Sequence, residues 1–173
     1  MLQLLRQNQL FAKRSKCDFT QSKIEYLGHV ISGQGVGTDP TKVSAMMQCP
    51  VPKSQLRGFL GLTGYYRKFV QNYNIISKPL ASLLKRGAFE WNSEATRAFL
   101  ELKTAMTSAP LLALPNFNKT FIVEVDACGT GVGAILMQDG HPLAYISEPL
   151  SMKHQGLSTY EKKLIALLMA VDK

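Results

Sequence analysis

The stretch FIVEVDACGTGVGAILM, residues 121–137, constrains this chain more than any other. It is an apolar run of the kind that forms a buried strand. Two carboxylates, Glu124 and Asp126, stand inside it, and Gly129, Gly131 and Gly133 follow at alternate positions. Unpaired acid is costly in a core. Either the glycines cradle a phosphate, or a strand carries a carboxylate for a metal.

The loop reading fails on context. Gly129-Thr130-Gly131-Val132-Gly133 is GxGxG, and a dinucleotide loop needs GxGxxG followed by a helix whose N-terminus faces the phosphates. A β-rich run follows here, then Asp139-Gly140, a two-residue hairpin signal. No GKS or GKT follows a glycine loop, so a P-loop is also excluded. The glycines suit a tight turn and a strand lying close to its neighbour.

The acids are left. Alternation puts Phe121, Val123 and Val125 on one face and Ile122, Glu124 and Asp126 on the other. Asp126 falls at the strand's end, where it either caps a turn or reaches a site at the sheet edge. Further on, Ser158-Thr159-Tyr160-Glu161 has the S-x-x-E form of a capping box, which is reason enough for Glu161. A strand Asp and a helix Glu would also supply part of a two-cation site acting on a phosphodiester, since Mg²⁺ takes hard carboxylate oxygens. Spacing alone leaves cap and ligand both open.

The chain before this unit reads mainly as helix. Residues 2–11 look like a helix end. Cys17 to Phe19 and Tyr26 to Ile31 read as two short strands, ended by Gly33, Gly35 and Gly37. Thr38 or Asp39 caps a helix with Pro40 in its first turn. In SQLRGFLGLTGYYRKFVQNY, Leu56, Phe59, Leu60, Thr63, Tyr66 and Phe69/Val70 follow the spacing of one buried face. Gly58, Gly61 and Gly64 weaken that helix, so they are expected to mark close packing. Pro79 is expected to interrupt the next helix. FEWNSEATRAFLELKTAMTSAP reads as another helix, capped by Asn92 or Ser93, with Glu94 in its first turn and Pro110 just beyond its end. Strands are expected at 119–126, 131–138 and 142–147, then an amphipathic helix reaching the last residue.

Charge divides the chain. Residues 1–87 hold 13 Lys/Arg against 3 Asp/Glu, a net +10, and residues 88–173 hold 7 against 9, a net −2. The basic front suits a polyanion, nucleic acid first. No apolar run reaches the roughly 18 residues of a membrane helix, so no membrane association is expected. Three cysteines without CxxC and three scattered histidines give no zinc spacing, and point to a reduced intracellular protein.

Five runs together resemble one family: LFAKRSKCDF, IEYLGHVIS, LRGFLGLTGYYRKFV, FEWNSEATRAFLELKTAMTSAPLLALP and STYEKKLIALLMAVDK. They are similar, in order and over nearly the whole chain, to the junction of reverse transcriptase and ribonuclease H in a Ty3/gypsy-type retrotransposon Pol polyprotein. The resemblance implies an α+β chain: a small palm β-hairpin remnant, a helical thumb, then a truncated ribonuclease H-like β-β-β-α unit. It places the palm remnant at 1–37, the thumb at 38–88, a connecting helix and linker at 89–115, and the first half of the ribonuclease H-like domain at 116–173. Asp126 and Glu161 match the family's first two catalytic, metal-binding acids, for Mg²⁺. Arg57, Tyr65, Arg67 and Lys68 would contact an RNA–DNA hybrid or template–primer duplex, while Tyr66 belongs to the thumb core.

The parent's implied reactions are RNA-directed DNA synthesis and Mg²⁺-dependent hydrolysis of RNA in the hybrid. The polymerase aspartate pair and the later ribonuclease acids do not occur in this chain, so it is expected to be inactive alone and to hold metal weakly or not at all. The alternatives are a non-catalytic nucleic-acid-binding module and a decayed transposon relic. An open β edge and an apolar helix face are expected to lower solubility. A cytoplasmic particle and the nucleus both fit as locations.

Overall fold

A computed structural model describes every residue except 1, 14–16, 18, 53, 54 and 86–88. The expected helix start at Ser54 and the 88/89 boundary therefore lie outside the described residues. Helix α1 (Leu2–Gln7) ends before Leu10 and Phe11. A first antiparallel sheet has the order β1 (Lys23–Tyr26), β2 (His29–Ser32), β3 (Gly35–Thr38). A helical layer follows: α2 (Pro40–Gln48), α3 (Leu56–Tyr65), a 3-10 turn (Arg67–Phe69), α4 (Tyr73–Leu83) and α5 (Ser93–Thr107). A second antiparallel sheet, β4 (Ile122–Ala127), β5 (Gly131–Gln138) and β6 (His141–Pro149), precedes α6 (Met152–Gln155) and α7 (Thr159–Val171). Among the described residues no helix is long and apolar enough to cross a membrane.

The first sheet corrects two expectations. Cys17 and Phe19 lie outside any strand, and the run Tyr26 to Ile31 is broken by a turn. Leu27 and Gly28 both take positive φ, +48° and +72°, which folds β1 back on β2. The glycine cluster does not end the sheet: Gly35 and Gly37 lie within β3. Their bareness has a cause. Val36 and Leu112 exchange backbone hydrogen bonds of 2.8 Å, and a Cβ on Gly35 would come 2.3 Å from the Leu112 carbonyl oxygen.

The helices share a core of Met46, Leu56, Phe59, Tyr66, Phe69, Leu80, Phe99, Leu102 and Met106. Each large apolar side chain buried there contributes on the order of 1.5–3 kcal/mol. Caps fall where side chains can make them. Asp39 accepts from Thr41 N at 2.8 Å, and Asn92 accepts from Ala95 N at 2.8 Å. Lys103 Nζ donates to the Met47 and Cys49 carbonyls at the C-terminus of α2, where a cation offsets the helix dipole.

Helix α3 holds the predicted face, with Leu56, Phe59 and Thr63 buried, but it stops at Tyr65. Among the described residues the expected close packing at its glycines is not seen. A Cβ on Gly58 or Gly61 would meet none of them within 4 Å, and one on Gly64 only Tyr73 Oη at 3.4 Å. Pro79 lies inside α4 without interrupting it.

The second sheet has the expected three strands, and its β5–β6 turn runs through Asp139 and Gly140 at φ +50° and +75°. The buried strand is β5, however, and not β4. Strand β4 pairs only with β5 among the described residues, so it is an edge, and Ile122, Val123 and Glu124 are exposed. Val132, Leu150 and Ala166 form a small core under α7, with Val125, Ala127, Ile165 and Met169 around it. Leu164, Leu168 and Val171 on α7 face solvent.

Candidate carboxylate site and nucleic-acid interface

The two faces of β4 divide as alternation requires. Val125 and Ala127 turn toward α7, and the Glu124–Asp126 face turns toward the segment ahead of α4. Gly133 pairs with Asp126 across the ladder. A Cβ on Gly133 would lie 3.0 Å from Asn72 Oδ1, and one on Gly131 would lie 2.4 Å from Ile75 Cδ1. The alternating glycines thus seat Asn72 and Ile75 against the sheet. Asn74 locks this contact, donating from its backbone N–H to Ser147 Oγ at 3.0 Å and from Nδ2 to the Ser147 carbonyl at 2.7 Å. A cavity of about 230 Å³ is left, lined by Gln71, Asn72, Glu124, Asp126 and Gly133 among others.

Asp126 is exposed at the end of β4. Its Oδ1 accepts from Ala127 N at 2.8 Å, and Oδ2 makes no hydrogen bond among the described residues. Glu161 is the third residue of α7. Its Oε2 accepts from Ser158 N at 2.8 Å and from Ser158 Oγ at 2.7 Å, while Glu161 N donates to Ser158 Oγ at 3.3 Å. The capping box is complete. The Ser158 hydroxyl, then the Ser158 N–H, hold the Glu161 carboxyl below its ordinary pKa. Glu161 does not line the cavity that Asp126 lines. Among the described residues no three His, Cys, Asp or Glu side chains group closely enough to hold a metal. Among the described residues Asp126 Oδ2 and Glu161 Oε1 make no hydrogen bond, and a carboxylate oxygen is the hard donor a divalent cation prefers.

The expected nucleic-acid residues lie on α3 and the 3-10 turn. Arg57, Arg67 and Lys68 are exposed. Arg67 and Lys68 also line a cavity of about 400 Å³ floored by Leu136, Ala144 and Ile146. Tyr66 is buried, as core, and its hydroxyl donates to the Gly28 carbonyl at 2.6 Å. Tyr65 is half exposed, and its hydroxyl donates to the Leu27 carbonyl. Consecutive tyrosines thus hold consecutive carbonyls of the β1–β2 turn. His29 stacks on Tyr65 at 5.2 Å and meets Tyr66 edge-on at 5.6 Å. Its Nδ1 is buried without a hydrogen-bond partner among the described residues. Burial first, then the Lys68 charge, lowers its pKa, with the Gly37 backbone pulling the other way.

Sequence reasoning missed His29, Gln71, Asn72 and the Asn74–Ser147 pair. Only Gly131 and Gly133 signalled that something approaches this sheet, and nothing in the sequence named what.

The fold matches part of a viral protease-reverse transcriptase and includes a ribonuclease H-like fold. The family model for the RNase H-like domain found in reverse transcriptase matches residues 91–173. An uncharacterized mitochondrial protein of Arabidopsis thaliana is 50% identical over 129 residues, covering 72% of this chain and 82% of that protein. Two retrovirus-related Pol polyproteins of Drosophila melanogaster also match. That from transposon 297 is 40% identical over 90% of this chain, and that from transposon gypsy is 33% identical over 92%. Two solved structures of a foamy viral protease-reverse transcriptase superpose, one in complex with dsDNA (TM-score 0.80, 26% identity, 88% of this chain and 34% of that one) and one with RNA/DNA hybrid (TM-score 0.81, 25% identity, 91% and 22%). The chain belongs to the Ty3/gypsy-type retrotransposon Pol polyprotein family, as a segment of its reverse transcriptase/ribonuclease H region. It spans 15% and 17% of the length of the two Drosophila polyproteins. The family generally uses divalent metal ions.

Proposed function

We propose that this segment serves a parent enzyme that copies RNA into DNA and hydrolyses the RNA of the resulting hybrid with Mg²⁺. Residues 1–37 act as the end of the palm, 38–88 as the thumb, 89–115 as the connection, and 116–173 as the first half of the ribonuclease H-like domain. Arg57, Arg67 and Lys68 hold phosphates of the duplex, and Tyr65 offers it an exposed ring face. Asp126 and Glu161 are ligands for Mg²⁺, which would polarise a phosphodiester and activate water. The supporting observation is Asp126 itself: an exposed carboxylate, one oxygen of which makes no hydrogen bond among the described residues, at the end of a strand and beside a cavity. By itself the chain holds hybrid and does not cut it, because two carboxylates give too little negative charge to retain the cations.

The test is cleavage of a labelled RNA–DNA hybrid in Mg²⁺ beside salt-dependent binding of the same hybrid. Binding without cleavage is expected. Cleavage abolished by Asp126→Asn would show the chain active alone. The second reading, a module that only binds, is favoured by the lack of a three-ligand cluster among the described residues. Restoring cleavage by supplying the rest of the domain would rule it out.

A further inference from the structure

Asn72 stands at the N-cap of α4, where an asparagine side chain ordinarily accepts from its own first turn. It makes no such bond. Ser147 Oγ, from β6, accepts from Asn74 N instead. The serine of one element caps the helix of another, and the Asn72 carboxamide is released. The Asn72 backbone is left-handed at φ +60°, a conformation asparagine tolerates better than most residues. Its Oδ1 lies over Gly133, where no Cβ intervenes. Gly133 pairs with Asp126. The released carboxamide and the carboxylate therefore line one cavity, with Gln71 and Glu124.

Two carboxylates on one strand face repel a phosphodiester strand. A lysine beside them would pair with the acids and fill the space. A carboxamide adds no charge, and offers two N–H donors and a carbonyl acceptor. It suits a polynucleotide backbone that must come close to Asp126 without neutralising it.

We propose that Asn72, with Gln71 beside it, binds the nucleic-acid strand at the Asp126 site, donating from its carboxamide to a sugar or phosphate oxygen. The segment ahead of α4 then completes a site that β4 begins, so the helical region reports directly on what the sheet holds. This rests on the reading of the chain as a binder of RNA–DNA hybrid.

The full chain is titrated with a short labelled hybrid at low salt in EDTA, so that neither metal nor cleavage enters. Asn72→Gly keeps the left-handed backbone and removes the carboxamide. Affinity is expected to fall about five- to tenfold, the scale of one or two polar contacts. The direct readout is the Asn72 side-chain amide resonance, assigned by its disappearance in Asn72→Gly. It is expected to shift on addition of hybrid, which a purely structural asparagine would not show. If the parent chain binds, an unmoved resonance or an unchanged affinity in Asn72→Gly overturns the proposal and leaves the hybrid-binding reading intact. A parent chain that does not bind hybrid sinks that reading, and this proposal with it.

Discussion

Ser147 and Asn74, 73 residues apart, are joined by two hydrogen bonds of 3.0 and 2.7 Å. The pair fixes the start of α4 on the second sheet. Ser147→Ala keeps the bond to the carbonyl and leaves the Asn74 N–H without its acceptor. The variant should lose about 1–2 kcal/mol in urea unfolding, the usual cost of a lost cap. Amide exchange at Asn74 and Ile75 should quicken. Unchanged protection there would show that the serine caps nothing.

Glycine substitutions should separate contact from bare surface. Gly131→Ala drives a Cβ to 2.4 Å from Ile75 Cδ1 and 3.1 Å from the Glu148 carbonyl. Both Ile75 Cδ1 and Cγ1 stand in the way, and a backbone oxygen yields less readily than a side chain. A loss of about 1–3 kcal/mol is expected, as for overpacking. Gly61→Ala meets none of the described residues within 4 Å and should gain about 0.5–1 kcal/mol from helix propensity. Thermal melts of the two variants should move in opposite directions, and a shared direction would refute the assignment.

His29 should make stability depend on pH. Its folded-state pKa lies below the ordinary 6.5, so the unfolded chain takes up the proton first. The contribution is complete above pH 6.5 and is lost as pH falls toward the depressed folded value. Tyr65, Tyr66 and Phe69 surround the ring, and Lys68 is the charge that repels its protonated form. His29→Gln should flatten the dependence of unfolding free energy on pH in that window. An equally steep slope in the variant would place its origin elsewhere.

Cys128 is exposed, and the Thr130 hydroxyl is the main cause that lowers its thiol pKa; burial and Asp126 work against it. The thiolate is the reactive form. Alkylation near neutral pH should mark Cys128 before the half-buried Cys17 and Cys49, and Thr130→Val should slow it. Uniform labelling of the three would count against the Thr130 contact.

The legible features were local ones. The Asp39 and Asn92 caps, the Asp139-Gly140 turn and the Ser158–Glu161 box depend on residues within a few positions of one another. What escaped was long-range. The run 121–127 looked buried because its composition is apolar, yet position in a sheet decides exposure, and β4 is at the edge. Glycines 58, 61, 131 and 133 look alike in sequence. Two meet none of the described residues and two admit Asn72 and Ile75, and the docked helix tells them apart. Asp126 was legible as an acid in an odd place. Its neighbours Gln71 and Asn72 were not, because polar residues between helices are unremarkable until a sheet lies beneath them.

Leu112 and Ala113 touch both sheets. Leu112 pairs with Val36 of β3, and Ala113 N donates to the Pro142 carbonyl of β6 at 2.8 Å. A dipeptide shared in this way is a seam between modules. Exchange of the front half against that of a relative would have to bring a matching strand for Leu112, and exchange of the back half a matching acceptor for Ala113. A chimaera of two relatives is thus expected to melt higher when both partners of each contact come from the same parent.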